Sequence, residues 1–152
     1  MKKLIIVTPI YEDIKSAEKL FSKLKSQFDD EIFIVAIDDG SVKKPVDIDI
    51  LNKQDIEGVI LSLVKNVGHQ QAIAIGLQYV EDKIDWAERI VVMDSDGEDN
   101  PATIPTLLNA LENNSIDVSV GKRKNRSEGI KFKIFYKIYK ASFRLLTGRS
   151  IG

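Results

Sequence analysis

The chain has 152 residues, 43% hydrophobic and 30% charged, which is enough for one compact domain and too short for two ordinary ones. Its 22 Lys and Arg against 23 Asp and Glu leave a formal charge of −1, so a whole-surface attraction to nucleic acid is excluded. The absence of cysteine excludes disulfides, thiolate metal sites and a thiol nucleophile, and a reducing, cytoplasmic setting is expected. The near-zero average hides an asymmetry. Residues 1–121 carry 12 basic and 22 acidic side chains, whereas residues 122–152 carry 10 basic ones and a single acidic one, Glu128.

The opening Met1-Lys2-Lys3 and Leu4-Ile5-Ile6-Val7 mimic a signal peptide, but Pro9, Glu12 and Asp13 end the apolar run, so it reads as a buried first strand. Four short aliphatic runs, Leu4–Thr8, Ile32–Ile37, Gly58–Val64 and Arg89–Met93, predict strands buried on both faces. Ala17, Leu20, Phe21 and Leu24 lie at helical spacing between the first two, and Ala72, Ile75, Gly76, Tyr79 and Val80 do so between the last two. Asn100 then reads as an N-cap before Pro101, with Ile104, Leu107, Leu108 and Leu111 as the apolar face of another helix. A fifth strand is expected at Asp117–Val120. Such alternation predicts an α/β fold, a mostly parallel, Rossmann-like sheet flanked by helices.

Ile130–Thr147 departs from this pattern. Phe132, Phe135, Tyr136, Tyr139, Phe143 and Leu146 form one stripe, surrounded by Lys131, Lys133, Lys137, Lys140 and Arg144. A core helix with a solvated charged face and a helix lying on a membrane surface both fit this basic, aromatic-rich segment. No apolar stretch approaches the roughly 20 residues that span a bilayer.

In open parallel sheets, ligands sit beyond the carboxyl ends of the strands. Polar residues gather there: Pro9-Ile10-Tyr11-Glu12-Asp13, Asp38-Asp39-Gly40-Ser41, Lys65-Asn66-Val67-Gly68-His69, and Asp94-Ser95-Asp96-Gly97-Glu98-Asp99. Asp94 and Asp96 have the spacing of hard-cation ligands, although an Asx-turn leading into the Pro101 helix explains them equally well. An EF-hand is a poor fit, because Gly97 is fourth from Asp94 and Pro105 stands where a bidentate Glu belongs. Asp38-Asp39-Gly40-Ser41 is either a turn, as Asp-Gly commonly signals, or the source of one buried carboxylate that accepts from a base or ribose. The single histidine, His69, reads as a helix-start or packing group and excludes multi-histidine metal sites. Neither a Gly-x-Gly-x-x-Gly fingerprint, a P-loop nor a Gly-x-Ser-x-Gly elbow is present.

Taken together, Val7-Thr8-Pro9-Ile10-Tyr11-Glu12, Ile37-Asp38-Asp39-Gly40-Ser41, Lys65-Asn66-Val67-Gly68 with Ala72 and Gly76, and Val92-Met93-Asp94-Ser95-Asp96 followed by Pro101 resemble the family 2 glycosyltransferases of GT-A fold. The likeness covers residues 4 to about 126, taken as a nucleotide-sugar-binding core at 1–126 followed by a basic helical segment at 127–152. Gly121-Lys122-Arg123 and the segment from Phe135-Tyr136-Lys137 to Thr147-Gly148 resemble the dolichyl- and undecaprenyl-phosphate sugar transferase branch.

The resemblance implies a metal-dependent, inverting transferase that moves a sugar from a UDP- or GDP-sugar to an acceptor such as a polyprenyl phosphate. It implies donor contacts from Pro9, Tyr11, Glu12, Asp39, Asn66, Gly68, Asp94, Ser95 and Asp96, Mg²⁺ or Mn²⁺ on Asp94 and Asp96, and acceptor phosphate near Arg123 and Arg126. It further implies peripheral contact with the inner face of the cytoplasmic membrane, and more sheet and a catalytic base beyond Gly152. Glu128 matches no family motif. The competing readings are a non-catalytic, nucleotide-sugar-binding or self-associating module, with a homodimer through the aromatic stripe, and a receiver-type signalling domain. The last fits poorly, because Lys65 and Asn66 stand where its phospho-accepting Asp belongs.

Overall fold

The computed structural model describes residues 4–114 and 116–121. Four strands, β1 (Leu4–Ile10), β2 (Ile32–Asp38), β3 (Gly58–Ser62) and β4 (Arg89–Val92), alternate with α1 (Ile14–Phe28), the single-turn α2 (Asp49–Asn52), α3 (His69–Lys83) and α4 (Ile104–Asn114). The sheet has the order β3-β2-β1-β4 and is parallel throughout. The expected α/β fold with its Rossmann-like sheet is therefore present, and its compact unit runs to Ser119.

The two-residue period of a strand sorts β1 and β2 between two apolar layers. Leu4, Ile6 and Ile10 of β1, with Ile32, Ile34 and Ala36 of β2, pack against Ala17, Leu20, Phe21 and Leu24 of α1. Ile5, Val7, Val35 and Ile37 point the other way and pack with Ala72 and Val80 of α3. Helices on opposite faces explain why the two central strands read as unbroken apolar runs. Phe21, Leu24, Ile5 and Ile37 are fully buried. Each contributes on the order of 1.5–3 kcal/mol relative to exposure. The start of α1 is set by Asp13, whose Oδ1 accepts the Ser16 N–H at 3.2 Å.

Three expectations need correction. The third strand stops at Ser62, because its partner β2 ends at the paired residue Asp38, and the last ladder bond is Leu63 N–H to the Asp38 carbonyl. Val64 is consequently fully exposed. The fourth strand is not buried on both faces. Among the described residues it lies at the edge of the sheet beside β1, as β3 does beside β2 with its residues only partly buried, α3 lies over β1 and β2, and Ile90 and Val92 remain 46% and 44% exposed. Asp117–Val120 forms no strand: a strand exists only by pairing, no described strand lies alongside, and Val118 and Val120 stay exposed. The Pro101 region is subtler. Asn100 caps through its side chain, accepting the Ala102 N–H, but the first turn, Pro101–Thr103, is a 3₁₀ turn that leads into α4 at Ile104.

The Ile130–Thr147 helix, Arg123, Arg126, Glu128 and the whole of 127–152 lie outside the described residues. No described helix is long and apolar enough to cross a membrane.

α3 meets the sheet through small residues, which brings its backbone close. A Cβ on Gly76 would sit 2.5 Å from Ile37 Cδ1 and 2.7 Å from Val7 Cγ1. Gly76→Val therefore overpacks this layer and is expected to lower stability by about 1–3 kcal/mol in urea unfolding. An unchanged midpoint would show that α3 does not rest on β1 and β2 at this spacing.

Candidate donor-binding site

All four strands run the same way, so their carboxyl ends share one edge, and the chain adds β2 and β3 on one side of β1 before crossing to add β4 on the other, which reverses the strand order between β1 and β4. That is a topological switch point, where outgoing loops part and leave a crevice. The strand ends and the segments that follow them carry Pro9 to Asp13, Asp38 to Ser41, Lys65 to His69 and Asp94 to Asp99, so the predicted donor residues lie at one end of the sheet.

These loops are tied to one another in sequence around the edge. The β1 and β2 loops join where the Asp39 N–H donates to the Ile10 carbonyl at 2.9 Å and the Glu12 N–H donates to Ser41 Oγ at 2.8 Å. The Glu12 carboxylate accepts three backbone N–H groups: Val42 at 2.8 Å and Lys43 at 3.0 Å on Oε1, and Lys44 at 3.2 Å on Oε2. The β2 and β3 loops join through Asp39, whose Oδ1 accepts the Val67 N–H at 2.7 Å and whose Oδ2 accepts the Gly68 N–H at 3.0 Å. The start of α3 meets the β4 loop where His69 Nε2 lies 3.2 Å from Asp94 Oδ1. The β4 loop returns to β1 through buried Ser95, whose Oγ donates to the Pro9 carbonyl at 2.8 Å.

Burial separates the two aspartates of the second loop from the rest. Asp38 and Asp39 are each 3% exposed. Asp38 serves the backbone, accepting the Ser41 N–H at 3.0 Å and the Val46 N–H at 2.9 Å. Gly40, at φ +73°, adopts a left-handed turn, and a Cβ there would collide with the backbone of Lys65 and Asn66. Only glycine lets the β2 loop lie against the β3 loop. Tyr11, Asn66 and Asp96 are exposed at the rim, and Gly68 has open space where a Cβ would stand.

The acidic residues differ in what they do. Hydrogen bonds from the Lys43 and Val42 backbone hold the Glu12 carboxyl below its usual range, and the Ser16 hydrogen bonds do the same for Asp13. Asp96 Oδ1 accepts the Glu98 N–H at 2.8 Å, and Asp99 Oδ2 accepts the Asp94 N–H at 2.9 Å, so the Asx-turn expected at this loop is present. A carboxylate oxygen has two acceptor positions, so a turn hydrogen bond does not prevent Asp94 or Asp96 from contributing an oxygen to a hard cation. Among the described residues no group of three or more His, Asp or Glu side chains is arranged to hold a metal. An ion held on Asp94 and Asp96 would take its remaining oxygens from water or from a ligand such as a diphosphate.

The opposite edge of the sheet is also acidic, and there Lys25 pairs with three carboxylates. Lys25 Nζ donates to Asp30 Oδ1 at 2.7 Å and lies 3.4 Å from Asp29 Oδ1 and 3.6 Å from Asp55 Oδ2. Sequence reading missed two connectors at the strand-end site, Ser41 and Asp99. Ser41 sits inside the Asp-Asp-Gly-Ser motif and Asp99 ends the acidic run from Asp94, but neither pattern specifies the backbone N–H that the side chain accepts. His69 starts α3, as expected, and in addition faces Asp94.

Comparison with known sequences places this edge in context. The chain is 30% identical to the undecaprenyl-phosphate 4-deoxy-4-formamido-L-arabinose transferase of Photorhabdus laumondii, over 100% of this chain and 46% of that protein. It is 27% identical to the protein of the same name from Proteus mirabilis and 26% to that from Salmonella paratyphi B, with the same coverage of 100% and 46%. The chain thus spans about half the length of these curated relatives. The profile of "Glycosyl transferase family 2" matches residues 5–150, nearly the whole sequence, and the chain belongs to that family.

Proposed function

We propose that this chain is the donor-binding part of a transferase that moves a sugar from a UDP- or GDP-sugar to a polyprenyl-phosphate acceptor at the cytoplasmic face of a membrane. The observation that carries the reading is the set of four loops linked around the switch-point edge of the sheet. Family membership supports sugar transfer, and the printed names of the relatives support a polyprenyl-phosphate acceptor.

In this reading Pro9, Tyr11, Glu12, Asp39, Asn66 and Gly68 form the nucleotide end of the site, and Asp94, Ser95 and Asp96 its diphosphate end. Asp39 keeps acceptor capacity beside its two backbone hydrogen bonds, which is what a base or ribose donor requires. Gly68 lets a ligand approach its backbone without meeting a side chain. Asp94 and Asp96 hold Mg²⁺ or Mn²⁺, and Ser95 fixes that loop to β1. When bound, the cation supplies Lewis-acid stabilisation of the charge that develops on the departing diphosphate. Displacement by the acceptor oxygen then inverts the anomeric centre. Arg123 and Arg126 are the candidates for the acceptor phosphate, and no catalytic base is assigned among the described residues.

A second reading, that the chain binds a nucleotide sugar without turning it over, draws on its spanning 46% of its relatives. A transfer assay with polyprenyl phosphate separates the two, because the binding module binds donor and forms no product.

Calorimetric titration with UDP, GDP and their sugar conjugates, with and without Mn²⁺, tests the donor site. Asp96→Ala is expected to weaken metal-dependent binding at least ~10-fold without changing the unfolding midpoint, since Asp96 is exposed. Equal binding by the variant would remove Asp96 from the metal site. Asp39→Asn places an amide N–H₂ against the Val67 or Gly68 N–H, and is expected to lose roughly 2 kcal/mol of stability in urea unfolding together with nucleotide binding. Wild-type stability in this variant would mean that the carboxylate is dispensable as a loop connector.

A further inference from the structure

Glu12 belongs to the first strand-end motif, but its backbone conformation and hydrogen-bond partners give it a task that the motif does not assign. It sits at φ +54°, a left-handed conformation uncommon for a residue with a side chain, so the surrounding contacts determine its backbone. Its main-chain N–H reaches Ser41, and its carboxylate spans the next three backbone N–H groups, Val42 to Lys44. Three successive N–H groups converging on one anion form a backbone nest, and here the anion comes from the neighbouring loop.

We infer that Glu12 is a positioning residue, which shapes the nucleotide end of the site by clamping the Asp38-Asp39-Gly40-Ser41 loop to the β1–α1 turn. This deepens the donor-site reading and rests on it. The route is short: Glu12 holds residues 41–44, Gly40 lies against Lys65 and Asn66, and Asp39 holds Val67 and Gly68. Releasing residues 41–44 therefore loosens the turn at Gly40 and, through Asp39, the β3 loop, which Glu12 does not reach through its own hydrogen bonds. The charge matters as well as the shape. A glutamine offers one acceptor oxygen and an N–H₂ group, and the latter would face a backbone donor.

Proton linkage follows the same geometry. The folded-state pKa of Glu12 lies below its unfolded value, so the clamp is fully formed above the unfolded value and is lost as pH falls through the folded one. The Lys43 and Lys44 side chains belong to the clamped segment, Lys43 adds to the lowering, and Asp13 is the neighbouring carboxylate on the Glu12 side.

The test measures backbone hydrogen exchange and nucleotide titration on the full 152-residue chain, for wild type, Glu12→Gln, Ser41→Ala and the double variant. Glu12→Gln is expected to speed exchange at Val42, Lys43 and Lys44 at least ~10-fold, leave the β1 and β2 strand amides unchanged, and weaken Mn²⁺-dependent UDP or GDP binding ~10-fold. Ser41→Ala is expected to do less, and the double variant to match Glu12→Gln more closely than the product of the two effects, as one clamp requires. Wild-type exchange should accelerate at the same three amides on acidification toward the glutamate range, beyond the intrinsic pH effect, while Glu12→Gln shows no such step. Unchanged exchange at residues 42–44 in Glu12→Gln overturns the clamp, and faster exchange with unaltered nucleotide affinity overturns its role in positioning. Should the wild type bind no nucleotide, the donor-site reading and the positioning role both fall, while the exchange data still show whether Glu12 holds the loop.

Discussion

Every strand of a parallel sheet ends at the same edge, and the loops that leave it carry backbone N–H groups without ladder partners. A partly buried N–H without an acceptor costs as much as a lost hydrogen bond, so this edge needs acceptors. Here they are carboxylates. Asp38 takes Ser41 and Val46, Asp39 takes Val67 and Gly68, Glu12 takes Val42 to Lys44, and Asp99 takes Asp94. The acidity of the strand ends is therefore structural, because the carboxylate oxygens close the loops that leave the sheet.

The strand order determines where those loops meet. Because β1 is flanked by β2 on one side and β4 on the other, the first loop touches both the Asp-Asp-Gly-Ser turn and the Asp-Ser-Asp turn. Any ligand spanning from Asp39 to Asp94 crosses the end of β1. This gives Pro9 a role beyond ending an apolar run, since its carbonyl accepts from Ser95 and thereby fixes the acidic turn relative to the strand. The rigidity behind this arrangement comes from the two apolar layers, in which the central strands are buried and small residues of α3 bring its backbone against them.

Membership of glycosyl transferase family 2 joins these observations to chemistry. Tyr11, Asn66 and Asp96 are exposed at the rim, whereas Asp38, Asp39 and Ser95 are buried and hydrogen-bonded within the protein. Exposure and burial thus differ between neighbouring residues of the same motif. In Asp94-Ser95-Asp96 the middle residue anchors the loop while the outer two present carboxylates toward less buried surroundings.

Much of this was legible along the chain. Apolar runs separated by helical spacing specified β1, β2, α1 and α3, because a strand covered on both faces must be apolar throughout and a helix covered on one side must be so every three or four residues. The polar residues after each strand located the edge. What the linear pattern could not specify was which partners each segment meets. Val64 and Asp117–Val120 have strand-like composition without a strand beside them, and Ile90 and Val92 look like core although an edge position leaves them partly exposed. Likewise, the sequence by itself determined that Glu12, Asp39, Asp94 and Asp96 stand at strand ends. Only the tertiary structure decided that Glu12 and Asp39 bind neighbouring loops, since a hydrogen bond between residues about thirty positions apart exists only once the sheet has brought the two loops together.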